Sequence, residues 1–148
     1  VLSLRRNFFS SKRLTKLAQA LCDSEANLSL TELDLSENPL GATSAKELGQ
    51  IIASGQHKLR VMRLKDCLLD LAAFWRLAGN LDDSRPLSTL DLRCNPIGRG
   101  TRRCWRGTMG PTIRCEVLLS DHPLKVWKQA LRDEEDERQG YPLPRRWA

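Results

Sequence analysis

One spacing of apolar residues returns along this chain at a nearly constant interval. It reads Leu30-x-x-Leu33-x-Leu35-x-x-Asn38-x-Leu40, then Leu59-x-x-Met62-x-Leu64-x-x-Cys67-x-Leu69 after 29 residues, then Leu87-x-x-Leu90-x-Leu92-x-x-Asn95-x-Ile97 after 28 more. The chain opens on the tail of the same pattern, Leu2-x-Leu4-x-x-Asn7-x-Phe9, and carries a degraded copy, Val117-x-Leu119-x-x-His122-x-Leu124, near its end. That makes about five units, the outer two imperfect. A repeat of this length constrains the fold more than composition does, because a single unit cannot bury its own apolar face and must stack on its neighbours.

Each stretch of the unit has its own physical reading. The Leu33-x-Leu35 step is the period-2 alternation of a short strand with one buried face. Past the strand the chain turns inward, where the side-chain amides of Asn38 and Asn95 can satisfy backbone groups that a tight buried turn leaves unpaired. Leu40, Leu69 and Ile97 then plug the core beyond the turn. Between the strands run helical stripes: Leu14, Leu17, Ala18 and Leu21; Ala45, Leu48, Ile51 and Ile52; Leu71, Phe74, Leu77 and Ala78. Ser44 with Glu47 has the form of a capping box, Gly55 stands where a helix stop is expected, and Asp70 is placed to cap the third helix.

Strand and helix alternating at 28 and 29 residues, with Asn38, Cys67 and Asn95 in turn at one position, resemble the leucine-rich repeat superfamily in its ribonuclease-inhibitor-like class. The resemblance covers residues 1 to 98 well and 113 to 131 loosely. It implies an α/β solenoid with short parallel strands on the concave face and helices on the convex face. The organisation expected is leucine-rich repeats over 1–97, an irregular Arg/Gly-rich insertion over 98–112, and a degenerate terminal repeat with a cap helix over 113–132. A tail over 133–148 is acidic from Asp133 to Glu137 and then rich in Pro and Arg. Because Val1 falls inside a strand pattern and leaves a sheet edge uncovered, the chain is expected to be the C-terminal part of a longer protein.

Composition narrows the function classes. No apolar run approaches the roughly 18 residues of a membrane span, since charges interrupt every leucine cluster. Cys22, Cys67, Cys94, Cys104 and Cys115 form an odd set without paired short spacings, which suits thiols in a reducing compartment. A cytoplasmic location follows, with the nucleus as the alternative. Cys94, Cys104, Cys115 and His122 are 10, 11 and 7 residues apart, unlike zinc-site spacings. GRGTRRCWRG lacks the ending and context of a phosphate loop, and neither His57 nor His122 has a Ser or Cys nucleophile beside it. No catalytic residue, cofactor or metal is expected.

The candidate surfaces come from charge. The formal net charge of +6 is uneven: five bases and no acid lie between Val1 and Cys22, and six arginines and no acid between Arg93 and Cys115. From Gly98 to Thr112 four glycines and a proline oppose a regular helix and read as a loop. The same stretch has a second reading as a nucleic-acid patch, with Arg102, Arg103 and Arg106 on phosphates and Trp105 stacked on a base. On the strands, outward residues form three columns: Glu32, Val61, Thr89, Glu116; then Ser3, Asp34, Arg63, Asp91, Leu118; then Arg5, Ser36, Lys65, Arg93, Ser120. At a strand spacing of about 4.8 Å, Asp34, Arg63 and Asp91 can form an alternating charge ladder. The expected partner-binding residues are Glu32, Asp34, Ser36, Arg63, Lys65, Asp91 and Arg93.

The resemblance implies a non-enzymatic scaffold that recognises another protein on its concave face. The repeats look like those ending NLR-type cytosolic receptors, which would imply ligand sensing or autoinhibition. Alternative readings are a small-GTPase regulator of the Ran GTPase-activating kind, and nucleic-acid binding through the Arg-rich segment.

Overall fold

Each apolar pair of the repeat becomes one strand of a parallel sheet. The computed structural model describes residues 1–23, 29–54, 58–82, 87–98, 101, 104–105 and 113–119. Within them the strands are β1 (Leu2–Ser3), β2 (Glu32–Asp34), β3 (Val61–Arg63), β4 (Thr89–Asp91) and β5 (Glu116–Leu118), in sheet order β1-β2-β3-β4-β5. Leu2, Leu33, Met62, Leu90 and Val117 stand side by side, and the outward column Ser3, Asp34, Arg63, Asp91, Leu118 is in register as the sequence predicts. The expected helix at residues 126–131 and the tail lie outside the described residues, as do Gly55, His57 and His122.

Helices α1 (Ser11–Asp23), α2 (Ala45–Ser54) and α3 (Leu71–Ala78) pack on one another and close the core. Their stripes are buried at Leu14, Ala18 and Leu21, at Ala45, Leu48, Ile51 and Ile52, and at Ala73, Phe74, Leu77 and Ala78. Burying a Leu- or Phe-sized side chain stabilises by about 1.5 to 3 kcal/mol, so this continuous layer is the main force holding the stack. Two expectations fail. Leu71, directly after the cap, is 46% exposed, and Ala73 takes the inward position. Ser44 and Glu47 form no capping box. Gly41, at φ 70°, swings the chain into a 3-10 turn over Ala42–Ser44, so that Ser44 is already inside the first turn and its hydroxyl donates back to Leu40 O. Asp70 does cap α3, accepting from Ala73 N–H at 2.8 Å.

The turns that follow the strands are of two kinds. In each of the first four units the residue before the ladder position has positive φ (Arg6, Glu37, Asp66 and Cys94), a conformation costing about 1 to 2 kcal/mol for a residue with a side chain. In the first and third units the residue after the ladder position, Phe8 or Leu68, is left-handed as well. In the second and fourth, Pro39 and Pro96 fix that position at negative φ. There the positive φ passes to Gly41 and Gly98.

The ladder side chains hold these turns from the next unit along. Asn38 Nδ2 donates to Leu35 O (2.8 Å), Ser36 O (3.3 Å) and, across the junction, Leu4 O (2.9 Å). Its Oδ1 accepts from Asn7 N–H and Phe9 N–H, each at 2.9 Å. Asn95 repeats the set on Leu92 O, Arg93 O and Leu64 O, and accepts from Cys67 N–H and Leu69 N–H. At the junction between them Cys67 donates its thiol to Leu35 O (3.3 Å), and Gly41 N–H donates to Cys67 O (3.0 Å). Burial pushes the Cys67 thiol up to about 12, so it remains a protonated donor.

The fourth unit departs from expectation. Thr101, Cys104 and Trp105 lie in helical conformation, where glycine content argued for an irregular loop. Thr101 Oγ1 donates to Ile97 O at 3.2 Å, as Ser44 does to Leu40 in the second unit. Trp105 is 4% exposed and meets Phe74 edge to face, with ring centroids 5.7 Å apart.

Candidate functional site

The turns anchor the rims of the sheet, and its outer face is left to side chains that the core does not use. Glu32, Asp34, Arg63 and Lys65 are half-buried there, Arg93 is exposed, and all come from β2 to β4 or the residues just after them. The expected charge ladder is present in register but not in bonding. Arg63 reaches diagonally to Glu32 Oε2 at 2.8 Å rather than sideways to Asp34 or Asp91. Asp34 instead accepts from Ser36 N–H at 2.9 Å. Asp91 pairs within its own segment, accepting from Arg93 Nε at 2.9 Å and Nη2 at 2.7 Å in a two-pronged bond.

Two of the expected partner-binding residues lie beneath the surface. Ser36 and Asp91 are each 5% exposed. Ser36 Oγ accepts from Lys65 N–H at 3.2 Å, and Asp91 is covered by the guanidinium of Arg93. They position neighbours and offer a partner little area. Partial burial alone would raise the Asp91 carboxyl, but the Arg93 bonds outweigh it and hold it below the ordinary 3.8.

One participant was missed by the sequence reading. Glu37 sits at the positive-φ position past β2 and receives both Arg5 and Arg6 from the neighbouring unit. Burial works against its charge, yet the two guanidiniums keep its carboxyl below the ordinary 4.5. The signal was available: Arg6, Glu37, Asp66 and Cys94 align one place before the ladder residue and make a fourth column.

The nucleic-acid reading fares differently. Trp105 belongs to the core, because its ring is enclosed against Phe74, and presents no free face to a base. Arg102, Arg103 and Arg106 lie outside the described residues. No helix among the described residues is long and apolar enough to cross a membrane.

Five parallel strands on a helix-lined core, with an Asn/Cys ladder at their turns, define a leucine-rich repeat solenoid. The family model described as "Leucine Rich repeat" matches residues 26–49 and 83–99. The chain belongs to the leucine-rich repeat superfamily, in the ribonuclease-inhibitor-like class, and its repeats are of the kind carried by NLR proteins. It is 32% identical over 118 residues to NACHT, LRR and PYD domains-containing protein 12 of Mus musculus, covering 79% of this chain and 11% of that protein. It is 31% identical over 109 residues to ribonuclease inhibitor of Sus scrofa, covering 70% of this chain and 24% of the relative. A third relative, NACHT, LRR and PYD domains-containing protein 14 of Mus musculus, is 37% identical over 93 residues, 63% of this chain and 8% of its own length. The chain thus spans about a tenth of the NACHT-containing relatives it matches and a quarter of the inhibitor.

Proposed function

We propose that this chain is a non-enzymatic recognition scaffold that binds another protein on the concave sheet, within a larger cytosolic sensor or regulator. One observation carries this reading. Glu32, Asp34 and Arg63 are held in columns by strand register, Lys65 and Arg93 follow two residues past β3 and β4, and the buried core is built without any of the five. A rigid array of both signs discriminates among partners by complementarity, since a like charge facing any one of these residues is penalised. Arg63 and Arg93 pair with neighbours, and their side chains remain 40% and 51% exposed. The NLR-type and ribonuclease-inhibitor relatives support the choice of a protein as the partner.

The test is quantitative capture from cytosol by the immobilised chain, compared with Arg63→Glu/Lys65→Glu and with Arg102→Glu/Arg103→Glu. The reading expects specific proteins to be lost at least tenfold with the first pair and retained with the second. Capture that survives the first pair and fails with the second would overturn it, and nucleic acid recovered with a steep salt dependence would identify the other surface. Faster GTP hydrolysis when the chain is mixed with a small GTPase would move the assignment to GTPase regulation.

A further inference from the structure

Two clefts lie side by side on the outer face of the helix layer, with α2 as the ridge between them. One, of about 340 Å³, is lined by Lys46, Gly49, Gln50 and Ala53 of α2 and by Arg76 and Asn80 in and just after α3. The other, of about 410 Å³, shares Gln50 and Ala53 and adds Gln19, Cys22 and Asp23 of α1. The first has a built corner. A Cβ at Gly49 would come within 2.7 Å of Asn80 Nδ2, so the glycine lets that amide lie against α2, where it donates to Arg76 O at 2.8 Å.

The two clefts differ in charge. Lys46 and Arg76 are exposed, and neither forms an ion pair with a described residue. Among the described residues no carboxylate lines their cleft, whereas Asp23 is the charged residue of its neighbour.

Two cations in one cleft suit a group carrying about two negative charges near neutral pH, as a phosphorylated serine or threonine does and a single carboxylate does not. Arg76 offers the planar fork that matches phosphate oxygens, and Lys46 a point charge beside it. Lys46, Gln50 and Arg76 are exposed, so the cleft does not enclose a free small molecule as a metabolite site would. The ligand is then a segment of a longer chain. A nucleic acid would carry further phosphates toward Asp23 and be repelled there, but a peptide can present a basic side chain to it. Packed helices are about 8 to 10 Å apart, a distance that an extended peptide covers in about three residues.

We propose that the two clefts form a phosphopeptide-binding groove across α2. The phosphoryl group of a phosphoserine or phosphothreonine sits between Lys46 and Arg76, and a basic residue about three positions away meets Asp23. This groove is separate from the sheet and does not depend on what the concave face binds.

The test measures fluorescence anisotropy on the 148-residue chain with short alanine-rich peptides. Each carries a central phosphoserine, with an arginine three residues before it, three residues after it, or absent. One arginine order is expected to bind at least about tenfold more tightly than its unphosphorylated form, and Lys46→Ala/Arg76→Ala should remove that preference while the melting temperature stays within about 2 °C of wild type. Should that variant unfold, Arg76→Gln alone reads the same contact. Asp23→Asn should remove the advantage of the arginine, an effect of about threefold, and leave the preference for phosphate. Equal binding of phosphorylated and unphosphorylated peptides, or a preference that survives the double variant, would overturn the proposal. So would a peptide without arginine that binds as well as either order. Inorganic phosphate competing as well as the peptide would reduce the cleft to a simple ion site, and a single-stranded oligonucleotide binding more tightly through the same pair would make the ligand a nucleic acid; either result would also overturn it.

Discussion

Asn95 and Arg93 are two residues apart and obey different rules. Asn95 is buried, and its five hydrogen bonds all go to backbone groups, three of them in the preceding unit. Arg93 is exposed and its guanidinium bonds to Asp91 beside it. The first holds two units together by donating and accepting at once. The second could be exchanged without disturbing the stack. In a solenoid this separation leaves the outer columns open to specialise, because the backbone that carries them is fixed elsewhere.

The comparison breaks most readily at the inner wall. Asn95→Ala removes one acceptor and two donors and leaves backbone groups of two units unsatisfied in a buried turn. A loss on the order of 3 to 5 kcal/mol is expected, lowering the melting temperature by on the order of 10 °C in calorimetry. A shift no larger than that of an exposed charge substitution would contradict the ladder. Trp105→Ala should cost a similar 3 to 5 kcal/mol or so through lost packing on Phe74. Its nucleic-acid affinity, measured on folded protein, should be unchanged, and a selective loss of binding with full stability would return Trp105 to the surface reading.

Smaller effects belong to the outer face. Asp91 and Glu37 titrate lower in the folded chain than when unfolded, so the unfolded state takes up protons first as the solution is acidified. Their contribution is complete above about pH 5.5 and is lost as pH falls through the ordinary values of 4.5 and 3.8 and then below. Arg93→Ala should cost up to about 1 kcal/mol at neutral pH, since Arg93 is half exposed, and the difference from wild type should shrink in denaturant titrations toward pH 3. A gap that widens with acid would show the sign to be wrong. Smallest of all, Arg63→Glu should change stability by no more than about 1 kcal/mol, Glu32 losing a partially exposed partner, while the proposed capture is lost.

The same division explains what the sequence disclosed. Period 2, period 3.6 and the repeat interval each reflect burial, so the strands, the register of the columns they carry and most of the helical stripes could be read from the apolar positions, Leu71 excepted. The ladder role of Asn38 and Asn95 was legible too, since a buried amide beside a turn has few other uses. Side-chain choices among near-equal options were not legible. Arg63 can reach Glu32, Asp34 or Asp91, and only the twist and neighbouring bonds select Glu32. Ser44 fits a capping box in sequence, but the backbone path after Gly41 turns its hydroxyl to Leu40. Trp105 sits among residues whose composition suggests a loop, and its burial depends on Phe74, 31 positions earlier.

The most direct measurement is residue-resolved amide exchange on wild type, Asn38→Ala and Asn95→Ala. The ladder predicts that Asn38→Ala releases Asn7 and Phe9, that Asn95→Ala releases Cys67 and Leu69, and that neither first frees amides within its own unit. Exchange that quickens only around the substituted residue, with those four amides still slow, would contradict the claim that each unit is held by the next.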